Sequence, residues 1–120
     1  ARAALYGGEA DRFPRALQEV EGVAGPHADE VRAIASYYRG EYEAAVAAYD
    51  RVLTRWPEYA PAWSGRGQAR FAAGVAGSVR DPRENCRAAL EDYDEALARV
   101  PEDAFARLNR ANARLMLARH

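Results

Sequence analysis

The sequence predicts an all-α fold, and three observations support this prediction. Alanine dominates the hydrophobic residues of the 120-residue chain, whereas isoleucine occurs once. Alanine favours helices and close helix packing, while strands prefer β-branched and aromatic side chains. Two groups of residues also recur along the chain, each at its own fixed spacing, which is typical of an array of helical hairpins. We therefore expect one modest core built from repeated helix pairs.

The recurring residues define a repeat that is interrupted by an insertion. One group shifts by 44 positions, with Ala45, Tyr49, Leu53 and Pro57 recurring as Ala89, Tyr93, Leu97 and Pro101. The other group shifts by 34 positions, with Arg32, Ala33 and Gly40 recurring as Arg66, Gly67 and Gly74. The difference between 44 and 34 locates an insertion of ten residues between Gly74 and Ala89, at about 75–84.

Without the insertion the unit has 34 residues and resembles the tetratricopeptide repeat (TPR). The first repeat has the TPR signature residues Gly40, Tyr42, Ala45, Tyr49, Leu53 and Pro57. The second has Trp63, Gly67, Gly74, Ala89, Tyr93, Ala96, Leu97 and Pro101, and a third begins at Ala104. This resemblance covers 26–118 and implies a right-handed α-α superhelix, or solenoid, of TPR helix hairpins.

Glycine and proline positions predict where the helices begin and end. Gly40 and Gly74 supply the positive φ that ends the first helix of each pair, and a proline stops each second helix. Asp81 and Glu84 form a predicted capping box, which leaves a short loop over 75–80. We expect helices over 27–39, 42–55, 60–73, 82–99 and 104–118.

Additional helical segments are expected at both ends of the array. Phe13, Ala16 and Leu17 keep the spacing of a second TPR helix, so 10–21 is interpreted as the B helix of a degraded repeat. A run of apolar residues from Leu115 makes the last helix either a cap or the start of further repeats. The predicted organisation is an N-terminal segment 1–25, TPR 1 over 26–59, TPR 2 over 60–103 with its insertion, and a terminal A helix within 104–120.

Composition and motif content argue against several function classes. The net charge is −1 and all 17 basic residues are arginine, so the chain offers no general attraction to nucleic acid or anionic lipid. No apolar run approaches the roughly 20 residues that a membrane helix needs. Cys86 is the single cysteine, and His27 and His120 belong to no local motif. We predict a cytoplasmic protein that is not an enzyme, with no cofactor, no metal site and no nucleic-acid partner.

The resemblance implies a structural ion pair at the junction between helices. Asp92 occupies the position at which a subset of TPRs carries an aspartate, and this aspartate accompanies an arginine in the first helix. We predict that Asp92 pairs with either Arg66 or Arg110.

The resemblance also implies a peptide-binding surface on the concave face, which the first helices line. The corresponding residues are His27, Glu30, Ile34, Tyr37, Tyr38, Ser64, Gln68, Phe71, Phe105, Leu108 and Asn112. Such aromatic and amide side chains anchor apolar groups and hydrogen-bond a peptide backbone, although Tyr37, Phe71 and Phe105 also suit a core role. The carboxylate clamp of the chaperone-binding TPRs is not expected, because Glu30 and Ile34 replace its lysine and asparagine.

The predicted function is a scaffold that binds a peptide segment of a partner protein. The alternative is a structural spacer, a homodimerisation element acting through the terminal helices, or a regulatory appendage of a larger multidomain protein, such as a bacterial signalling protein or kinase. Because the chain starts at Ala1 rather than Met, we expect it to come from a longer protein. Its arginine-rich, lysine-free composition is typical of a GC-rich genome.

Overall fold

The computed structural model describes residues 12–19 and 21–119, in which all regular structure is helical. The helices are α1 Arg12–Glu19, α2 Pro26–Tyr38, α3 Tyr42–Arg55, α4 Ala60–Ala76, α5 Pro82–Arg99 and α6 Ala104–Arg119. Each helix packs against the next one, so α2 with α3 and α4 with α5 form two hairpins that stack side by side. This arrangement confirms the predicted all-α solenoid of TPR helix hairpins.

The described N-terminal helix lies within the segment that the sequence predicts. The predicted segment 10–21 corresponds to α1, which packs against α2. Residues 10, 11 and 20 lie outside the described part of the chain, as do the side chains of Phe13 and Ala16.

The prediction that Gly74 ends the first helix of the second hairpin is wrong. Gly40 has φ 81° and follows α2 as expected, but α4 continues through Gly74 to Ala76. The left-handed residue is instead Gly77, with φ 74°, and its N–H caps the carbonyls of Ala73 and Gly74. An added Cβ at Gly74 would make only an ordinary contact, 3.4 Å from the Pro82 carbonyl oxygen, so packing does not require a glycine there.

The second hairpin is longer than the first by one turn in each helix. α4 has 17 residues where α2 has 13, and α5 has 18 where α3 has 14. The connection between the two helices, 77–81, is two residues longer than the connection 39–41. The Asp81 carboxylate caps α5 by accepting a hydrogen bond from the Glu84 N–H at 3.3 Å. Because both helices lengthen by the same amount, the extra residues extend the paired hairpin instead of forming a long loop.

Two glycines in α4 allow close packing against two equivalent tyrosines. A Cβ at Gly67 would lie 2.8 Å from Cε1 of Tyr93, and a Cβ at Gly65 would collide with the ring of Tyr49. Tyr49 and Tyr93 occupy the same repeat position, one in α3 and one in α5, and both are buried. α4 therefore packs closely against both α3 and α5.

Candidate binding surface

The first helices of the repeats, α2, α4 and α6, contact one another in order and line a cleft of about 250 Å³. We name it the A-helix cleft. Its lining residues are Glu30, Ile34, Tyr37, Tyr38, Tyr49, Pro61, Ser64, Gly65, Gln68, Phe105 and Asn109. All of them except Tyr49 lie on these first helices. The cleft brings together seven of the eleven predicted surface residues.

The other four predicted residues lie outside the A-helix cleft. Phe71 and Asn112 line a second cleft of about 230 Å³, together with the C-terminal part of α6. His27 is 82% exposed, with Nδ1 3.6 Å from a carboxylate oxygen of Glu30. Leu108 is exposed and lines neither cleft. The predicted residues are thus divided between two clefts, and Gln68 and Phe71, although neighbours on one face of α4, line different ones.

Hydrogen bonds and ring contacts order the polar side chains of the A-helix cleft. The Tyr59 hydroxyl donates to Glu30 Oε1 at 2.6 Å. Burial raises the pKa of Tyr59, and the hydrogen bond to Glu30 raises it further. The Tyr37 and Tyr38 rings meet edge to face with centroids 5.2 Å apart. Burial also raises the pKa of Tyr37, while its hydrogen bond with Gln68 acts in the opposite direction. The Tyr37 and Tyr59 phenols therefore stay neutral beside a carboxylate.

A family model of the tetratricopeptide repeat matches residues 30–75 and 81–120, which together make up more than half of the chain. The chain belongs to the tetratricopeptide repeat family. TPRs are non-catalytic scaffolds that mediate protein–protein interaction. The gap between the two matched segments, 76–80, falls at the enlarged turn between α4 and α5. No curated protein matches the chain with significance.

Four residues that line the A-helix cleft of this TPR chain are absent from the predicted surface, namely Tyr49, Pro61, Gly65 and Asn109. Tyr49 is a repeat signature residue that also lines the cleft, because Gly65 leaves room for its ring. Asn109 is the repeat equivalent of Gly65, 44 positions later, and its side chain reaches the cleft from α6. Within the described residues, the buried Asn109 Nδ2 has no hydrogen-bond partner. The repeat shift of 44 relates Gly65 to Asn109, and this relation was the signal that could have placed both residues on the same surface.

Asp92 lies at the junction between α4 and α5 and is 2% exposed. Arg66 Nη2 donates to Oδ1 at 2.8 Å, and Arg66 Nε donates to Oδ2 at 3.1 Å. Arg70 Nη1 also donates to Oδ2, at 2.8 Å, a contact that the sequence did not predict. Of the two predicted partners, Arg66 contacts Asp92, whereas Arg110 contacts Asp94 at 3.0 Å. Arg110 lies on the next helix, α6, where the more exposed Asp94 is within its reach.

A second ion pair repeats between successive hairpins. Arg66 Nη1 lies 2.6 Å from Asp50 Oδ1, and Arg110 Nη1 lies 3.0 Å from Asp94 Oδ1. Both members of the first pair recur 44 positions later in the second pair. Each pair joins a second helix to the first helix of the following repeat, so the contact stabilises stacking and takes no part in the A-helix cleft.

Across residues 12–19 and 21–119, no helix combines the length and apolar character required to cross a bilayer. In the same part of the chain, no three His, Cys, Asp or Glu side chains come together as a metal-binding group would.

Proposed function

We propose that this TPR chain is a protein-interaction scaffold that binds a peptide segment of a partner on the concave face, in the A-helix cleft. The observation that carries the proposal is the convergence of three first helices on one cleft that exposes aromatic side chains. Tyr38 is 50% exposed and Phe105 is 59% exposed. Aromatic residues are enriched among the anchors of protein interfaces.

The dimensions of the cleft favour a peptide side chain over a whole small molecule. Its volume of about 250 Å³ is below the roughly 300–1,000 Å³ of small-molecule pockets. A partner that inserts one side chain here can continue along the first helices towards the second cleft at Phe71 and Asn112. The proposed role is non-catalytic and cytoplasmic. Because the surface spans only three first helices, we expect modest affinity.

Peptide-display selection with two surface variants tests the proposal. We expect peptides selected on the parent protein to lose about tenfold or more in affinity for Tyr38→Ala, since exposed aromatic anchors carry much of a binding energy. Peptides long enough to reach the second cleft should also lose affinity for Phe71→Ala. Val23→Ala is the matched control, because Val23 is exposed but lines neither cleft. Selected peptides that bind both aromatic variants as tightly as the parent would show that this surface is not the binding site.

The second candidate function is homodimerisation through the terminal helix. Its support is the exposure of Leu108 and Leu115 on α6, each 57%. Sedimentation equilibrium of the parent and of the double variant Leu108→Ser, Leu115→Ser distinguishes the two functions. A dimer in the parent that becomes a monomer in the variant favours dimerisation, whereas a parent monomer at high concentration argues against it.

A further inference from the structure

The charge of the A-helix cleft is unusual for a protein whose basic residues nearly equal its acidic ones in number, 17 to 18. Among the described residues that line the cleft, Glu30 is the only one with a formal charge. The remaining polar groups are hydroxyls and amides, and no arginine lines the cleft in the described part of the chain. Among the described residues, a bound segment therefore meets one negative charge and no positive charge.

A hydrogen bond holds the Glu30 carboxylate in place, and among the described residues no arginine pairs with it. Oε1 accepts the hydrogen bond from Tyr59, and the side chain is only 18% exposed. The nearest ion-pair partner among the described residues is His27, at 3.6 Å, and it lies largely in solvent. A carboxylate withdrawn from water without a close cation gains more from a partner's positive charge than an exposed one does.

The aromatic walls suit the same ligand chemistry. The faces of tyrosine and phenylalanine rings attract ammonium and guanidinium groups, and the methylene stem of a basic side chain packs well on them. Tyr37, Tyr38 and Tyr49 line the cleft together with Glu30, and Phe105 faces them from α6. Burial raises the pKa of Tyr49, and the negative charge of Glu30 raises it further, so this phenol remains neutral.

Resting on the proposed function, we infer that the A-helix cleft selects a peptide through a lysine or arginine side chain, whose cationic group pairs with Glu30 while its stem lies between the aromatic rings. Charge complementarity carries this inference. The cleft recognises a basic internal side chain, in contrast to the C-terminal carboxylate that a lysine-containing clamp would hold.

A double-mutant cycle tests the inference. The probes are a peptide selected by display on the parent, synthesised with an acetylated N-terminus and an amidated C-terminus, and the same peptide with its basic residue replaced by glutamine. We expect this replacement to weaken binding to the parent about tenfold, as a charged hydrogen bond does, but to weaken binding to Glu30→Gln less than about twofold. Glu91→Gln removes the same charge from an exposed site on α5 and should behave like the parent.

The outcomes separate this inference from the proposed function. Peptides that need Tyr38 but carry no essential basic residue, or that lose equally in the parent and in Glu30→Gln, overturn the inference and leave the binding surface intact. Peptides indifferent to Tyr38→Ala and Phe71→Ala overturn the proposed function itself. A basic residue that is dispensable once the N-terminus is left free shows that an amino terminus is the cation, which also overturns the inference.

A measurement on the parent alone covers the case in which Glu30→Gln fails to fold. Raising NaCl from about 0.1 M to about 1 M shortens the Debye length from about 10 Å to about 3 Å. The basic peptide should then bind several-fold more weakly, while the glutamine peptide should keep its affinity. Equal salt dependence for the two peptides would contradict pairing with Glu30.

Discussion

Arg66 holds both carboxylate oxygens of the buried Asp92, with Nη2 2.8 Å from Oδ1 and Nε 3.1 Å from Oδ2. The Arg66 guanidinium also lies 5.1 Å from the centre of the Trp63 ring. Burial alone lowers the pKa of Arg66, but the hydrogen bonds to Asp92 and Asp50 outweigh this effect and raise it. The charged form of Arg66 is therefore the one that the fold stabilises.

The first prediction is that Asp92→Ala destabilises the protein strongly. Removing the carboxylate leaves Arg66 and Arg70 facing a buried site without its negative charge. Breaking a buried ion pair costs about 3–5 kcal/mol of unfolding free energy. We expect about 3 kcal/mol here, because Arg66 keeps its contact with Asp50. Thermal unfolding followed by circular dichroism should show a drop in Tm on the order of 10 °C.

The matched control for this prediction is Asp94→Ala. Asp94 pairs with Arg110, but its side chain is 58% exposed, so its loss should cost less than about 1 kcal/mol. Equal Tm values for Asp92→Ala and the parent would mean that the junction contributes nothing to stability.

The second prediction concerns the glycines that pack against tyrosines. The methyl group of Gly65→Ala would overlap the ring of Tyr49, and that of Gly67→Ala would overlap the ring of Tyr93. Both tyrosines are buried. Overpacking of this kind costs about 1–3 kcal/mol, which exceeds the roughly 1 kcal/mol that alanine gains over glycine in a helix. Urea unfolding should therefore show lower midpoints for both variants.

Gly74→Ala, in contrast, should stabilise the protein. It lies inside the same helix, and the nearest atom to an added Cβ is 3.4 Å away, an ordinary contact. We expect stabilisation by about 0.5–1 kcal/mol from helix propensity alone. If Gly74→Ala were as destabilising as Gly67→Ala, the cause would be the loss of glycine itself and not the contact with a tyrosine.

The repeat pattern was enough to predict the fold, because each TPR position constrains both packing and chain direction. The bounds 42–55 and 82–99 agree with α3 and α5. The end of α4 could not be predicted from Gly74, since a glycine ends a helix only where the chain also turns. Two candidate glycines, Gly74 and Gly77, lie three residues apart, and the paired lengthening of α4 and α5 decides between them.

The candidate site was only partly predictable, for a related reason. Repeat positions specify which helix face a residue lies on, so Glu30, Tyr38 and Gln68 could be assigned to one surface. They do not specify how far apart the first helices lie, and that spacing decides whether Phe71 shares a cleft with them. Nor do they predict Arg70 beside Asp92, because Ser36 and Ala48 stand at the equivalent positions of the first repeat.

The third prediction isolates the backbone strain at the turn of the second hairpin. Gly77 has φ 74°, and an added Cβ would meet no atom within 4 Å, so only the backbone opposes a side chain. Gly77→Ala should therefore cost about 1–2 kcal/mol in unfolding free energy. Gly77→Asn should cost less, because asparagine tolerates the left-handed region. Equal losses for the two variants would indicate that φ is not the cause.

The last prediction is a loss of stability at alkaline pH. Burial raises the pKa of Tyr49, Tyr59 and Tyr93 above the ordinary value of 10.0. Their contribution to stability is complete below the unfolded-state pKa of about 10. It is lost as pH rises towards the folded-state pKa values, because the unfolded chain then binds fewer protons than the native protein. Urea midpoints measured from about pH 8 to about pH 11 should fall above pH 10.

Tyr59→Phe tests whether this alkaline loss involves the A-helix cleft. The variant removes the hydroxyl that donates to Glu30, together with one group of raised pKa. Its stability should fall less steeply with pH than that of the parent, by at most about 1.4 kcal/mol per pH unit for one proton. Absorbance at the phenolate band would follow ionisation in the same samples. An unchanged slope would contradict the raised pKa of Tyr59 that burial and the hydrogen bond to Glu30 are expected to cause.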